Sequence, residues 1–280
     1  MLYLVLAIVC SVAVAVVITY AHKKHLPRFP LLATNYVVAT AASVIGSGAS
    51  TRMFAVPAEM GLAVFLGVLF IGCFWLMTKT VEKLGMVIPV TLMRLSAVIP
   101  TAGSIVLYGE SPSVLQVGGM LLAFLALPLA SPQPLTRASL RPLLEGGFGW
   151  GLLLFVAFGI TEFLFKFQKE VLPMDNPSDL LQVVFGTAML IGITAAVRRR
   201  ERFGGHVIAA GAVLGIVNMY SARFFILAVR ELPGMVLFPI NGIGIIMLSA
   251  IVGVLLWKER LNPRNLLYLA CAAVALALIA

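Results

Sequence analysis

The segment GMVIPVTLMRLSAVIPTAGSIVLYGESPSVLQVGGMLLAFLA, residues 85–126, decides the fold of this 280-residue chain because its pattern returns later. The second copy, residues 234–279, reads GMVLFPINGIGIIMLSAIVGVLLWKERLNPRNLLYLACAAVALALI. Identical residues in and around the two copies lie 149 positions apart: Glu82 and Glu231, Gly85 and Gly234, Met86 and Met235, Val87 and Val236, Glu110 and Glu259. Glutamate is scarce, since the chain has 11 Asp plus Glu, so the matches favour an internal duplication over chance.

Composition places the chain in a membrane. It is 61% hydrophobic and 11% charged, with a mean hydropathy of +1.06. Such a chain cannot cover a water-soluble globule with polar surface, whereas helices exposed to lipid need no polar cover. The sequence therefore predicts a multi-pass membrane protein.

Apolar runs of about 20 residues, each able to cross roughly 30 Å of hydrocarbon, predict ten transmembrane helices. The predicted spans are residues 2–21, 32–49, 59–78, 85–108, 114–131, 147–167, 178–197, 206–228, 233–256 and 264–280. The connections are short and leave no room for an extramembrane domain.

The longest connection divides the spans into two equal groups. It contains Pro132, Pro134 and Pro142, and five spans lie on each side. We therefore predict a five-helix repeat at 1–131, a linker at 132–146 and a second five-helix repeat at 147–280. Because each repeat has an odd number of spans, the two must insert with opposite orientation, as in transporters built from inverted-topology repeats around a central cavity.

The net charge of +9 is explained by topology. Most Lys and Arg lie in or beside the connections between spans and form no basic surface with interleaved aromatic residues, so no nucleic-acid partner is expected. Fourteen of them fall in odd-numbered connections and four in even-numbered ones, which favours cytoplasmic odd connections and termini on the opposite side.

The two quoted segments resemble the closing portion of an EamA-type repeat, in which a helix ends at a Glu, a short turn follows, and a helix rich in small residues returns. With LGIVN at residues 214–218, the whole chain resembles a ten-span member of the drug/metabolite transporter superfamily. One departure is that Ser111 and Pro112 follow Glu110, whereas the basic Arg260 follows Glu259.

The resemblance implies that spans one, three, four, six, eight and nine surround the cavity, while spans five and ten pack at the periphery. It also implies a multi-pass protein of a bacterial cytoplasmic membrane. Many relatives are described with cytoplasmic termini, whereas the charge count here favours the reverse.

Charged residues inside predicted spans are the first candidates for substrate recognition, because burying a charge in the bilayer is costly. Arg94 lies deep in span four, and its planar guanidinium suits a carboxylate or phosphate; the structural alternative is a tie to neighbouring carbonyls or to Glu162. Glu162 is the one carboxylate well inside a span and the candidate for proton coupling. Lys166, four residues further along span six, could neutralise it.

Other candidates are polar or aromatic residues at the predicted cavity. Asn218 and Arg223 lie on span eight and Asn241 on span nine; a hydrogen bond between helices is the commoner fate of an intramembrane Asn. Trp75 could stack a flat substrate or serve as an interfacial anchor. Pro89 and Pro239 are predicted hinges, with static kinks as the alternative.

The predicted function is secondary transport of a small organic metabolite or amphipathic compound by alternating access, most simply export. Two alternatives remain open: a flippase or scramblase for lipid headgroups, and a membrane subunit that transports nothing. No catalytic, nucleotide-binding or metal-ligand motif is present, so we expect no enzyme activity, cofactor or metal site. The expected partners are a small-molecule substrate, the lipid bilayer, and protons if transport is proton-coupled; the protein would be a monomer or homodimer.

Overall fold

A computed structural model describes residues 1–48, 56–84, 87–130, 137–142, 146–172, 176–258 and 263–279. Within these ranges the chain is helical and contains no strand. Its α-helices, α1 to α12, are Leu2–Lys23, Arg28–Ser47, Pro57–Leu84, Val87–Leu95, Val98–Tyr108, Val114–Ala126, Arg137–Pro142, Phe148–Val171, Pro177–Arg198, Gly205–Glu231, Gly234–Trp257 and Pro263–Ile279. Glu259 and two parts of the predicted linker, 132–136 and 143–145, lie outside the described residues.

Eight of the described helical segments are long and apolar enough to cross a membrane, as expected for a multi-pass membrane protein. They are α1, α2, α3, the segment Ile88–Tyr108 that combines α4 and α5, and α8 to α11. The predicted fifth and tenth spans correspond to the shorter apolar helices α6, of 13 residues, and α12, of 17. A 3-10 turn at Leu127–Ala130 extends the end of α6.

Sequence signals explain where two of these helices begin. At α6 the Ser113 hydroxyl accepts the N–H of Gln116 at 3.2 Å, while the Gln116 side chain accepts the N–H of Ser113 at 3.0 Å. This reciprocal pair is a capping box. At α9 the Asn176 side chain accepts the N–H of Ser178, and Pro177 occupies the first helical position, where its missing N–H costs nothing.

The predicted fourth span is helical but interrupted between α4 and α5. Pro100 has no N–H, so the Ser96 carbonyl lacks its usual donor four residues later and accepts the N–H of Ile99 at 2.9 Å. The interruption is therefore explained by Pro100. Pro89 lies in the first turn of α4, where proline is tolerated, and Pro239 lies inside the continuous helix α11. Their role as hinges stays a prediction.

The helices form two compact units that combine both halves of the sequence. The first unit is Met1–Gly72 with Phe167–Arg230, and the second is Cys73–Lys166 with Glu231–Ala280. These packing units and the predicted sequence repeats are thus different divisions of the same chain.

In the first unit, α2 packs along α9. Glycines permit close helix contacts: a Cβ at Gly215 would lie 2.5 Å from the Asn35 carbonyl oxygen, and one at Gly67 would lie 2.6 Å from that of Val184. Small residues bring α10 onto α2 and α3 onto α9 in the way typical of membrane helices.

In the second unit, α12 packs along α6, and α11 along α5. A Cβ at Gly119 of α6 would lie 3.1 Å from the Ala275 carbonyl oxygen, and Gly159 of α8 receives the side chain of Ile99. These contacts place α5, α6, α8, α11 and α12 around the charged groups described next.

Candidate functional site

The Glu110 carboxylate, in the turn after α5, joins three helices of the second unit. Its Oε1 accepts hydrogen bonds from Lys166 Nζ at 2.6 Å and from the N–H of Gly234 at 2.8 Å. Its Oε2 accepts the N–H of Met235 at 2.8 Å. Glu110 therefore caps the N-terminus of α11, where the helix dipole favours a negative charge, and pairs with a cation from α8. We call this group of residues the Glu110 clamp.

The electrostatics of the clamp favour the ionised carboxylate. Burial acts to raise the pKa of Glu110, but the Lys166 ammonium and the N–H groups of Met235 and Gly234 outweigh it and hold the pKa below its ordinary value. The Lys166 side chain is only 2% exposed, and its ammonium lies 5.7 Å from the centre of the Tyr108 ring. Lys166 thus forms its ion pair with Glu110.

A second charged group lies around Arg94 at the end of α4. Its guanidinium interacts electrostatically with the Glu162 carboxylate of α8 and with the Tyr268 phenol of α12. Arg94 and Glu162 are both partly buried, whereas Tyr268 is 1% exposed. The structure therefore brings together the two charged residues predicted deep in the spans, and adds a tyrosine. We call Arg94, Glu162 and Tyr268 the Arg94 cluster.

Arg94 also borders a narrow crevice between α4, α6 and α11. The crevice is too narrow to admit a water-sized molecule and is otherwise lined by apolar groups, among them Phe124, Phe238, Pro239 and Gly242. A Cβ at Gly242 would meet no atom within 4 Å. The crevice lies beside the helix interruption at Ser96 and Ala97, and irregular backbone at membrane depth is typical of helices that line cavities.

Asn241, another predicted site residue, lies on α11 next to Gly242. Its side chain is 7% exposed, and its Oδ1 has no hydrogen-bond partner among the described residues. A buried carbonyl oxygen without a partner is costly, which makes Asn241 a group that a ligand could satisfy.

Trp75 lies in the same unit but on exposed surface. Its side chain is 46% exposed, and its ring centre lies 6.2 Å from that of Trp150, over which the Lys83 ammonium lies at 4.5 Å. A partly exposed tryptophan pair beside a lysine is typical of the bilayer interface. A role for Trp75 in substrate binding stays a prediction.

Asn218 and Arg223 belong to the first unit. The Asn218 amide donates to Asn35 Oδ1 at 3.3 Å, which is the hydrogen bond between helices that the sequence offered as an alternative to substrate contact. Arg223 lies beside Gly46 and Ser178. A Cβ built on Gly46 would lie 3.0 Å from Arg223 Nη1 and 2.9 Å from Ser178 Oγ.

Asp179 and Tyr268 are among the buried polar residues that sequence reasoning did not single out. Asp179 is 5% exposed with an unpartnered Oδ1, but its place at the edge of the predicted seventh span resembles an ordinary helix start. Tyr268 is also buried, and its hydroxyl has no partner among the described residues.

Comparisons with known proteins support the fold and name no activity. No family model matches the chain. An uncharacterized protein of Haemophilus influenzae is 28% identical over 270 residues, which cover 94% of this chain and 91% of that protein. The crystal structure of another protein superposes on this one with a TM-score of 0.78. The match covers 99% of this chain and 94% of that protein's chain, at 14% sequence identity. At that identity the likeness shows a shared fold alone.

Proposed function

We propose that this chain is a secondary transporter that moves a small organic solute across a membrane by alternating access, in the direction of export. The observation that carries the proposal is the Arg94 cluster: an arginine, a carboxylate and a buried phenol within apolar helices, beside a helix interruption and a crevice. Charged groups at membrane depth usually serve a substrate or ion pathway, because their insertion costs about 2.5–3.5 kcal/mol each.

The positions of the helices support the proposed inverted repeat. Arg28 and Pro177 begin α2 and α9, and Val114 and Pro263 begin α6 and α12; both pairs are separated by the 149 positions that separate the repeated Glu residues. Each of these helices packs against its own repeat counterpart. A two-fold axis passing between paired counterparts would produce such contacts.

Ten spans are proposed on the same basis. Besides the eight long segments, the two remaining spans would be α6 and α12. With its 3-10 extension to Ala130, α6 has the same helical length as α12, 17 residues. A helix of about 17 residues is at the lower limit for crossing a bilayer. This arrangement fits the resemblance to EamA-type drug/metabolite transporters, and the bacterial relative fits a cytoplasmic membrane.

The test begins with purified protein in detergent. A thermal-shift screen against pools of small organic metabolites identifies solutes that bind the native state, since such ligands stabilise it by mass action. Each positive solute is then assayed in proteoliposomes for counterflow without ATP. A secondary transporter exchanges labelled for unlabelled solute, whereas movement of headgroup-labelled lipid without solute counterflow would favour lipid transport.

Variants of the Arg94 cluster connect counterflow to the site. Arg94→Lys keeps the charge but loses the planar fork, and Arg94→Gln loses both, so solute affinity should fall in that order. Glu162→Gln should change the pH dependence of counterflow if the carboxylate exchanges protons. Lys79→Gln, which alters an exposed pair with Glu82, is the control. Equal counterflow by the Arg94 and Glu162 variants at every pH would refute the proposed site.

A further inference from the structure

Two connections of the first unit, with the helix ends beside them, carry seven of the chain's 20 Lys and Arg. One connection joins α1 to α2 and the other joins α9 to α10. All seven side chains are exposed, and the one acidic residue among them is Glu201. The seven residues, which we call the basic patch, are Lys23, Lys24, Arg28, Arg198, Arg199, Arg200 and Arg202.

Contacts between the helices hold the two connections side by side. The Arg199 guanidinium of one lies 4.3 Å from the centre of the Phe29 ring of the other. A Cβ at Gly211 of α10 would lie 2.9 Å from the carbonyl oxygen of Leu31 in α2. Residues of α1, α2 and α10 next to the patch share one buried apolar cluster: Ala21, Leu31, Val207, Ala210 and Leu214. The seven cations therefore form one surface at one end of the first unit.

The backbone at Arg200 shows that a cation is kept in this surface at a conformational cost. Helix α9 ends in a Schellman motif, in which the Arg200 N–H donates to the Val197 carbonyl at 3.0 Å and the Glu201 N–H donates to the Ala196 carbonyl at 3.3 Å. Arg200 has a φ of 52°, in the left-handed region, where glycine is usual because a side chain is strained there. Local structure would thus favour glycine at this position.

The basic patch lies at the depth expected for lipid headgroups. The helices that end or begin at it, α1, α2, α9 and α10, are each long and apolar enough to cross a membrane. Large apolar side chains beside the patch are exposed, among them Tyr20, Val197 and Phe203. Cations next to exposed apolar surface match the two parts of an anionic phospholipid, its phosphate and its acyl chains. A nucleic acid or a free anion would leave the apolar part without a partner.

We propose that the basic patch binds anionic phospholipids, with its Lys and Arg facing the phosphate groups and the adjacent apolar side chains contacting the acyl chains. Each basic residue near an anionic leaflet is attracted to it, so seven cations against one carboxylate favour an anionic lipid over a zwitterionic one. The topology rule explains an excess of Lys and Arg in odd-numbered connections, but it does not require two connections to combine their cations, or a strained arginine. The inference goes beyond the proposed function, because the bound lipid is a partner and not the transported solute.

The experiment titrates the full-length protein in a nonionic detergent with dioleoylphosphatidylglycerol or with dioleoylphosphatidylcholine, which has the same acyl chains and no net charge. Native mass spectrometry counts the bound lipids and gives their apparent affinity, and thermal unfolding is recorded in parallel. Arg198→Gln and Arg200→Gly are the test variants. Arg264→Gln, at an exposed arginine at the start of α12, removes a charge outside the patch and is the control. Inorganic phosphate and a short single-stranded DNA are the comparison probes.

The wild-type protein should bind phosphatidylglycerol more tightly than phosphatidylcholine, and this preference should shrink as the ionic strength rises. Arg198→Gln and Arg200→Gly should each weaken phosphatidylglycerol binding about fivefold, the effect expected of one basic residue near an anionic surface, while Arg264→Gln leaves it unchanged. Without lipid, Arg200→Gly should melt at or above the wild-type temperature, because glycine relieves the left-handed strain. Lost charge is thereby separated from lost structure.

Several results would overturn the inference. Equal affinity for the two lipids, or unchanged phosphatidylglycerol binding in both test variants, would remove the patch as a lipid site. An equal loss in Arg264→Gln would assign the effect to net charge, and lower melting temperatures in both test variants would make it structural. The same thermal shift with inorganic phosphate would show an anion site that needs no acyl chain, and tighter binding of the DNA would assign the surface to a nucleic acid.

Discussion

The Glu110 clamp and the Arg94 cluster are both charged groups in the second unit, but they differ in how completely their hydrogen bonds are made. In the clamp, both carboxylate oxygens of Glu110 accept bonds, and the ammonium of Lys166 has its counter-charge at 2.6 Å. In and beside the Arg94 cluster, the Tyr268 hydroxyl and the Asn241 carbonyl oxygen have no partner among the described residues.

This difference distinguishes a structural group from a binding group. A fully hydrogen-bonded buried network fixes helices in place and has little capacity left for a ligand. A group with unmet hydrogen bonds destabilises the unliganded protein and gains from a ligand that supplies them. The predictions below test the comparison, beginning with the largest expected effect.

Glu110→Gln should produce the greatest loss of stability. The amide leaves the Lys166 ammonium, only 2% exposed, without its counter-charge, and breaking a buried pair from one side costs about 3–5 kcal/mol. The unfolding free energy in mixed micelles measures this change. Glu82→Gln, at a glutamate whose side chain is 53% exposed and pairs with Lys79, should change it by less than about 1 kcal/mol.

Lys166→Met tests the same clamp from the other side. The variant removes the charge together with the ammonium and leaves Glu110 with the N–H groups of Gly234 and Met235, so its loss should be smaller than that of Glu110→Gln. A larger loss for Lys166→Met would show that the ammonium matters more than the helix cap.

The next prediction concerns how the stabilisation by Glu110 depends on pH. Because the folded pKa of Glu110 lies below its ordinary value of 4.5, its ionised form contributes stability that is complete above the unfolded pKa. That contribution is lost as the pH falls through the folded pKa. The stability difference between wild type and Glu110→Gln should therefore narrow in acid, and a difference independent of pH down to full protonation would contradict the clamp.

Another prediction concerns Asn241, whose buried carbonyl oxygen has no hydrogen-bond partner among the described residues. Asn241→Leu removes a buried oxygen without a partner, whose burial costs about 1–3 kcal/mol, so the unliganded protein should become more stable. Solute binding and counterflow should weaken. Asn218→Leu is the informative contrast, because its amide has a partner in Asn35, and this variant should lose stability. A destabilised Asn241→Leu would place Asn241 with the structural residues.

The sequence predicted the helices well because apolar length and breaks are local properties. It also predicted Arg94 and Glu162 as candidate site residues, since charges inside apolar runs are conspicuous, and it offered Glu110 as a marker of the predicted repeat. It did not predict that Glu110 would accept bonds from Gly234 and Met235, because that contact joins residues 124 and 125 positions apart.

Other features depend on tertiary packing in the same way. Tyr268 could be recognised only when α12 was seen to bring its phenol to Arg94. The sequence named Pro89 and Pro239 as hinges and did not predict the interruption after Leu95, which the hydrogen bonds around Ser96 relate to Pro100. Packing units that combine both sequence halves cannot be read from a linear repeat.

The smallest effect is expected at Ser113, which caps α6 from the same turn in which Glu110 caps α11. Both residues accept backbone N–H groups, but Ser113 is exposed and uncharged, and water can replace its hydroxyl. Ser113→Ala should therefore cost only about 0.5–1 kcal/mol of unfolding free energy, and Ser113→Asp, which also caps helices well, should restore it. If Ser113→Ala were as damaging as Glu110→Gln, the turn as a whole would fix the helices, and the contrast between a buried charged clamp and an ordinary cap would fail.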